Sequence, residues 1–419
     1  MKYTTAIMVT TISPAKNILS AIMCFCIPLF INLSGINGCM KVAFVTDTHF
    51  GYRRFEKDAL EQGREAILSA AREADLIILG GDNFDTPLPR METLAEVTKI
   101  LVEVKEIYRS KGIMKTPIFA IHGNHDRRAK GFVHPTELLS HSGLVDIVHN
   151  KTIVFEKNGE KIAISGMGNV PDDLAKEGIS KLACKPVQGA FNIFVLHQSF
   201  KEHDIAKNEQ LMSFDDLPDG FDLYLCGHVH KPNLSGRVLN PGSTVVTQLR
   251  EDEIGKRGWL LYDTLEKQGK FVPVASRQLF YSELVFEKAT PDEIKAKAVL
   301  EAGRLKKQAA IGKPPLVRIV LKGTLADGFH SADLRMPELG DEIFIDNSLN
   351  SNNLRERIAQ IKLSREKKQG SKELGMQLLR KRLEGTPYAL GDPEKVFEML
   401  LDGSFLPKTV EKIEEKKAV

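Results

Sequence analysis

The chain has 419 residues, 42% hydrophobic and 27% charged, an ordinary globular composition with ample length for two or three domains and a large core. A formal net charge of +3 excludes a global basic field, so any nucleic-acid surface must be local. Of the five cysteines, Cys24, Cys26 and Cys39 lie in the first 39 residues and only Cys184 and Cys226 in the body, which excludes a disulfide framework or zinc-knuckle spacing and points to a reducing compartment.

Residues 1–39 stand apart. Ile18 to Leu33 is mostly apolar, follows Lys2 and Lys16 and contains no acidic residue, as a signal peptide does, and Ile36-Asn37-Gly38-Cys39 is a poor lipobox-like ending. The stretch is short for a membrane span and is broken by Pro28 and Asn32. The plainer reading is an over-extended start, with the compact domain beginning at Met40. A secreted protein follows only if the segment is real.

From Met40 the pattern alternates. Met40–Thr46 is a buried strand ending in Asp47-Thr48-His49, and Phe55–Ala74 has helical spacing of Leu60, Ile67, Leu68 and Ala71. Strand Leu76–Leu79 runs into Gly80-Gly81-Asp82-Asn83-Phe84-Asp85, where two glycines let the backbone turn tightly; Gly-Gly-Asp is also ordinary turn chemistry. Met91–Tyr108 is a second amphipathic helix, and strand Ile118–Ile121 leads into His122-Gly123-Asn124-His125-Asp126. Strand–helix alternation predicts a layered parallel sheet with helices outside. The middle is richer in strand: a hairpin of Thr152–Phe155 and Lys161–Ser165 around Asn158-Gly159, Phe191–Leu196 ending at His197-Gln198, and Phe221–Cys226 ending at Gly227-His228-Val229-His230. Strands at Trp259–Tyr262 and Phe271–Ala275 close this part. After Ser276, a helix at Pro291–Gln308 and strands at Leu316–Leu321 and Glu342–Ile345 predict a small α/β cap. The polar run from Asn347 reads as a tether, followed by short helices at Pro393–Leu401 and Lys408–Lys417.

Five strands thus end in potential ligands: Asp47 and His49, Asp82, Asn124 and His125, His197, and His228 with His230. Sites in open α/β sheets form at the carboxyl ends of strands. Carboxylates, an amide oxygen and imidazoles without thiolate suit Mn²⁺, Fe²⁺ or Zn²⁺ better than Mg²⁺ or Ca²⁺, which take all-oxygen cages. Asp-x-His and His-x-His on extended backbone put both side chains on one side. One bridging carboxylate flanked by ligands is the arrangement for two metals about 3.5–4 Å apart. His122, His134, His141, His149, His203 and His330 fall outside the pattern and are expected to be structural or surface residues.

The motifs DTH, GGDNFD, GNHD, HQ and GHVH, in that order, resemble those of the calcineurin-like metallophosphoesterase superfamily. HQ at His197-Gln198, GHVHKP and the following NPGST resemble the nuclease of the double-strand-break repair complex, the meiotic-recombination-eleven (Mre) family whose bacterial counterpart is SbcD. The resemblance covers roughly residues 40–345, and the tail more weakly. It implies a layered β-sandwich core (sheets flanked by helices) with a small α/β cap and a helical C-terminal tail: a nuclease domain at 40–276, a DNA-binding cap at 277–346, a charged linker at 347–391 and an ATPase-binding tail at 392–419. It implies that Asp47, His49, Asp82 and His230 hold one divalent cation and Asp82, Asn124, His197 and His228 the other, both Mn²⁺. His125 would act on the scissile phosphate and its leaving group, with Asp126 orienting it. The family often carries histidine three residues after the bridging aspartate; Asp85 stands there here, as in the SbcD type, and is expected to orient a neighbouring group rather than touch substrate.

Arg53, Arg54, Arg127, Arg128 and Lys130 are candidate contacts to the DNA backbone, against ordinary solvated loop charge. Phe397, Leu400, Leu401 and Phe405 are candidate anchors on a coiled-coil ABC ATPase of the Rad/SbcC type. The function implied is a cytoplasmic, nucleoid-associated, homodimeric DNA exonuclease and endonuclease with no stable membrane association, acting on double-strand break ends. The alternatives are a small-molecule phosphatase or cyclic-nucleotide phosphodiesterase of the same superfamily, and a non-catalytic DNA-end scaffold.

Overall fold

A computed structural model of the chain describes residues 40–350, apart from 116, 129–130, 204–210 and 310–311, together with position 376. The expected tail helices and their anchors Phe397, Leu400, Leu401 and Phe405 lie outside the described residues, as does most of the tether.

Two sheets pack face to face. The first has the order β11-β10-β1-β2-β3-β4, built from β1 (Lys41–Val45), β2 (Leu76–Gly80), β3 (Ile118–Ile121), β4 (Asp146–Ile147), β10 (Gly258–Asp263) and β11 (Gln268–Pro273). The second has the order β5-β6-β7-β8-β9, from β5 (Thr152–Lys157), β6 (Glu160–Met167), β7 (Phe191–His197), β8 (Leu223–Gly227) and β9 (Val238–Leu239). Strands β1 to β4 run parallel, as do β6 to β9. The period-two alternation of strand side chains decides what each face touches. Val42, Phe44, Leu76 and Ile78 face Ile162, Ile164, Ile193 and Val195 of the other sheet. Ala43, Val45, Ile77 and Leu79 face helices α1 (Glu56–Glu73) and α2 (Met91–Ser110). On the far side, Phe194 and Leu196 meet Ala175 and Ile179 of α4 (Asp172–Ser180). Both faces of the parallel strands are therefore buried, which is why their sequences are near-continuous apolar runs. The result is the layered α/β architecture expected, two sheets flanked by helices.

Some elements were not visible as pattern. The short helices α3 (Pro135–His141) and α4 carry too few turns to show a period. The third sheet begins with β12 (Leu279–Ala289), whose mixed burial hides its alternation. It pairs in parallel with β13 (Leu316–Leu325) through the crossover helix α5 (Pro291–Gln308), and β13 pairs with β14 (Ile343–Asn350). The expected tether therefore starts late. Residues 347–350 continue β14, because ladder bonds to Leu321–Thr324 order polar residues there and Leu349 turns into the core of this sheet. Among the described residues, no helix is long and apolar enough to cross a membrane.

One packing detail fixes how closely α1 approaches the first ligand loop. A Cβ at Gly63 would lie 2.7 Å from the Phe50 ring, which is itself buried beside His49. Helix propensity favours Gly63→Ala by ~1 kcal/mol, but overpacking a rigid buried ring costs about 1–3 kcal/mol. We expect G63A to be destabilised by up to about 2 kcal/mol in chemical denaturation; greater stability than wild type would show that Phe50 can yield.

Candidate metal centre

The carboxyl ends of both sheets meet at one edge, and every strand end singled out above converges there. The loops after β1 and β2 are joined backbone to backbone: Asp47 N–H donates to Gly81 O (3.1 Å), His49 N–H to Asp82 O (3.0 Å) and Phe50 N–H to Asn83 O (3.0 Å). Asp47, His49, Asp82 and His228 adopt positive φ of 53°, 45°, 45° and 83°. Such backbone persists at a functional site when surrounding bonds over-determine it. Gly81 (φ 95°) is required on steric grounds as well, since a Cβ there would lie 2.5 Å from His197 Nδ1.

Three groups of potential ligand atoms result, Asp47/His49/His230, Asp82/His197/His228 and, sharing His49, His49/Asp85/His125, with the atoms of each group within 4.8 Å of one another; the first two contain the residues expected to bind metal. Asn124 joins the second group, its Oδ1 2.9 Å from His228 Nδ1. Asp82 reaches toward both groups, with Oδ2 3.3 Å from His197 Nε2 and 3.9 Å from His49 Nε2. Its Oδ1 accepts from His125 N–H at 2.7 Å.

The donor set fits cations on two observations. His197 Nδ1–H donates to Gly80 O at 2.8 Å, so the lone pair of the neutral ring is on Nε2; that atom is buried, faces both aspartates and has no hydrogen-bond partner among the described residues. His49 and His230 each turn Nδ1 toward a carboxylate, Asp85 (3.2 Å) and Glu253 (3.1 Å), so their Nε2 atoms oppose each other at 3.2 Å. Two imidazole lone pairs at that distance need a proton or a cation between them.

The electrostatics agree. Burial resists ionisation of Asp47, yet His197, His230 and His49 outweigh it and hold the carboxyl well below its usual range. Burial also resists ionisation of Asp82, but His197 and His49 bring it down to about 2. Burial opposes protonation of His197 and His230, but the carboxylates beside them raise both to about 9. His228, buried beside His197, is pushed down to about 4.

His125 lines the same cleft of about 710 Å³, together with Tyr52, Asp172, Lys231 and Arg250. Its Nδ1 lies 3.1 Å from Asp85 O and 3.5 Å from Asp85 Oδ1. The bond to Asp85 raises it to about 9 against partial burial. The expected partner, Asp126, does not touch the ring. Its buried carboxylate turns back to accept from Gly123 N–H (2.6 Å), Asn83 N–H (3.1 Å) and Thr136 Oγ1 (3.4 Å), so it braces the loop, and Asp85 does the orienting. Asp85 thus serves His49 and His125 at once.

The basic candidates are less united. Arg53 is exposed, Arg54 stacks on Phe344 of the third sheet at 4.2 Å, and Arg128 packs over Phe132 at 4.9 Å. Neither these nor Arg127 lines the cleft, whose basic residues are Lys231 and Arg250; Lys130 lies outside the described residues. Gln198 is spoken for structurally, bonding Val170 O and Asp172 Oδ1. His122 stacks on His134 at 4.4 Å, away from the ligand groups. Glu253 and Thr247, behind His230, carried no motif and were not foreseen.

Residues 40–232 match the family model described as calcineurin-like phosphoesterase. The chain is 26% identical over 317 residues to double-strand break repair protein mre-11 of Caenorhabditis elegans, covering 60% of this chain and 43% of that protein. It is 28% identical over 198 residues to DNA double-strand break repair protein Mre11 of Saccharolobus solfataricus, covering 46% and 49%. With the Mre11 protein of Sulfolobus acidocaldarius it is 27% identical over 302 residues, covering 68% and 76%. The chain thus spans less than half the length of the first relatives it matches. Residues 40–232 thus match the calcineurin-like phosphoesterase model, which with the candidate ligand groups supports a hydrolase acting on phosphoester bonds, in a chain similar to the Mre11 double-strand break repair proteins.

Proposed function

We propose that the protein is a two-metal DNA nuclease that hydrolyses phosphodiester bonds at double-strand break ends, with 3′–5′ exonuclease and endonuclease activity. The observation that carries the reading is a pair of ligand groups meeting at Asp82, with His125 held by Asp85 on the open side. Asp47, His49, Asp82 and His230 would hold one cation, and Asp82, Asn124, His197 and His228 the other; the mixed oxygen and nitrogen donors favour Mn²⁺. When bound, the pair supplies Lewis-acid polarisation of the phosphate and a water of lowered pKa. The chain's own residues do the rest. Asp82 sets the spacing of the two groups. Asp85 accepts at His125 Nδ1, which leaves Nε2–H to donate a proton to the departing sugar oxygen. Lys231 and Arg250, at the rim, meet the DNA backbone without reading sequence. Arg53, Arg54, Arg127, Arg128 and Lys130 extend that contact in this reading. Residues 392–419 grip a coiled-coil ABC ATPase through Phe397, Leu400, Leu401 and Phe405, in a cytoplasmic, nucleoid-associated homodimer.

Three outcomes test this. In calorimetric Mn²⁺ titration, Asp82→Ala should lose both cations and all nuclease activity. His125→Asn should keep both cations and lose about 10²–10⁴-fold in rate on duplex ends. Equal metal loss in the two variants would contradict the division of roles. Activity on p-nitrophenyl phosphate but not on DNA ends would favour the small-molecule phosphatase instead.

Asp85→Asn separates orientation from charge. His125 acts when protonated, so the rate falls as pH rises through its pKa. With Asp85 that pKa is raised to about 9 from an ordinary 6.5. Bound cations lower the value in both proteins, so the difference is what counts: the alkaline limb of kcat should move to lower pH in D85N. An unmoved limb would remove Asp85 from this role. For the tail, deletion of 392–419 should abolish capture of the cognate ATPase and leave Mn²⁺-dependent nuclease activity intact; retained capture would reject the assignment.

A further inference from the structure

Behind His230 lies a buried polar cluster that sets a carboxylate against the ring's far nitrogen, whereas in the second ligand group His197 Nδ1 meets a backbone carbonyl, Gly80 O, and Asn169 ties only the His197 backbone. The Glu253 side chain is 3% exposed and accepts from four donors besides His230: Thr247 N–H (3.1 Å), Thr247 Oγ1–H (3.1 Å), Gln248 N–H (3.1 Å) and Arg257 Nη2–H (3.3 Å). Arg257, equally buried, also donates to His230 O (3.1 Å) and Ser243 Oγ (3.0 Å). The backbone and side chain of His230 are therefore tied to the same ion pair. His230 Nδ1 faces Glu253 Oε1 at 3.1 Å and Thr247 Oγ1 at 2.9 Å. The Thr247 hydroxyl gives its own hydrogen to Glu253, so both neighbours of Nδ1 are acceptors and Nδ1 must be the donor. That fixes the tautomer of the neutral ring, the form that binds metal: its lone pair is on Nε2, which points at Asp47 Oδ1 (3.5 Å) and His49 Nε2 (3.2 Å).

A buried ion pair is poor evidence for stability, because its desolvation cost can equal its attraction. This one costs two buried charges to place a single imidazole, so we infer that Glu253 and Thr247, clamped by Arg257, are positioning residues for the Asp47/His49/His230 group and set its affinity for metal apart from that of the Asp82/His197/His228 group. The inference rests on the two-metal reading above. Loss of a carboxylate behind a ligating histidine weakens metal binding by about 10–100-fold. The predicted asymmetry is that the loss falls on one cation of the two.

The test is Mn²⁺ titration of the full chain followed by electron paramagnetic resonance, which separates a spin-coupled pair from a lone ion, with thermal unfolding alongside. Wild-type protein should show the coupled pair at two equivalents. Glu253→Gln should bind the first equivalent as wild type does and the second about 10–100-fold more weakly, so that a lone-ion signal persists at two equivalents. A purely structural clip would lower the thermal midpoint and leave the coupled pair at wild-type concentrations; that result overturns the inference. Should E253Q not fold, Thr247→Val decides. It removes one acceptor from Nδ1 and leaves the Glu253–Arg257 pair in place. A several-fold weaker second ion at an unchanged midpoint supports the inference, and an unchanged coupled pair overturns it. Wild-type protein that never shows a coupled pair would overturn the two-metal reading instead.

Discussion

Two carboxylates, Asp47 and Asp82, are buried where both sheets end, and a buried negative charge must be matched. Everything around the centre follows from that requirement. Without a cation, imidazolium on His197 and His230 supplies the match, which is why those two are raised and the aspartates lowered together. A divalent cation supplies the same charge without protons. Metal uptake therefore releases protons, and apparent affinity rises with pH through the range where the histidines would otherwise stay charged.

Placing two carboxylates this close requires the backbone to hold them there. The sandwich aligns the ends of β1 and β2 with those of β7 and β8, so residues from two sheets face one another across a few ångströms. Apolar packing beneath, with Phe44, Ile78, Ile193 and Val195 in one cluster, makes that alignment rigid. The left-handed residues Asp47, His49 and Asp82 then sit in a ladder of loop-to-loop bonds that would be lost if any of them relaxed to ordinary geometry.

The candidate ligands at strand ends were legible because two signals coincide in them. An apolar run marks a buried strand, and a polar residue at its carboxyl end has nowhere to go but the sheet edge. Asp47, His49, Asp82, Asn124, His197, His228 and His230 all carry both signals. Asp126 shows where neighbourhood in sequence misleads. It is adjacent to His125, yet the tight Gly123–Asp126 loop turns its carboxylate back onto Gly123 and Asn83, and the ring is met by Asp85 from 40 residues away. Glu253 could not be read at all: its segment has no period, and its meaning comes only from folding against His230. Strand β12 was hidden for another reason. One face packs on α5, while parts of the other face solvent and the two-sheet core, so no single alternation survives.

The third sheet touches the centre's supports unevenly. Phe344 packs edge-on against Phe55 at 5.9 Å, in the segment that follows His49. Arg318 Nη1–H donates to Leu249 O at 2.7 Å, between Thr247 and Glu253, and Tyr52 OH bonds Thr247 O. Leu279 and Leu316 close the same small apolar cluster with Val246 and Leu249. The supports of His49 and His230 thus lean on this sheet, whereas His197 is fixed by Gly80 and His228 by Asp47 within the two-sheet core. The third sheet is thus joined to the surroundings of the Asp47/His49/His230 group by two short, packed connections.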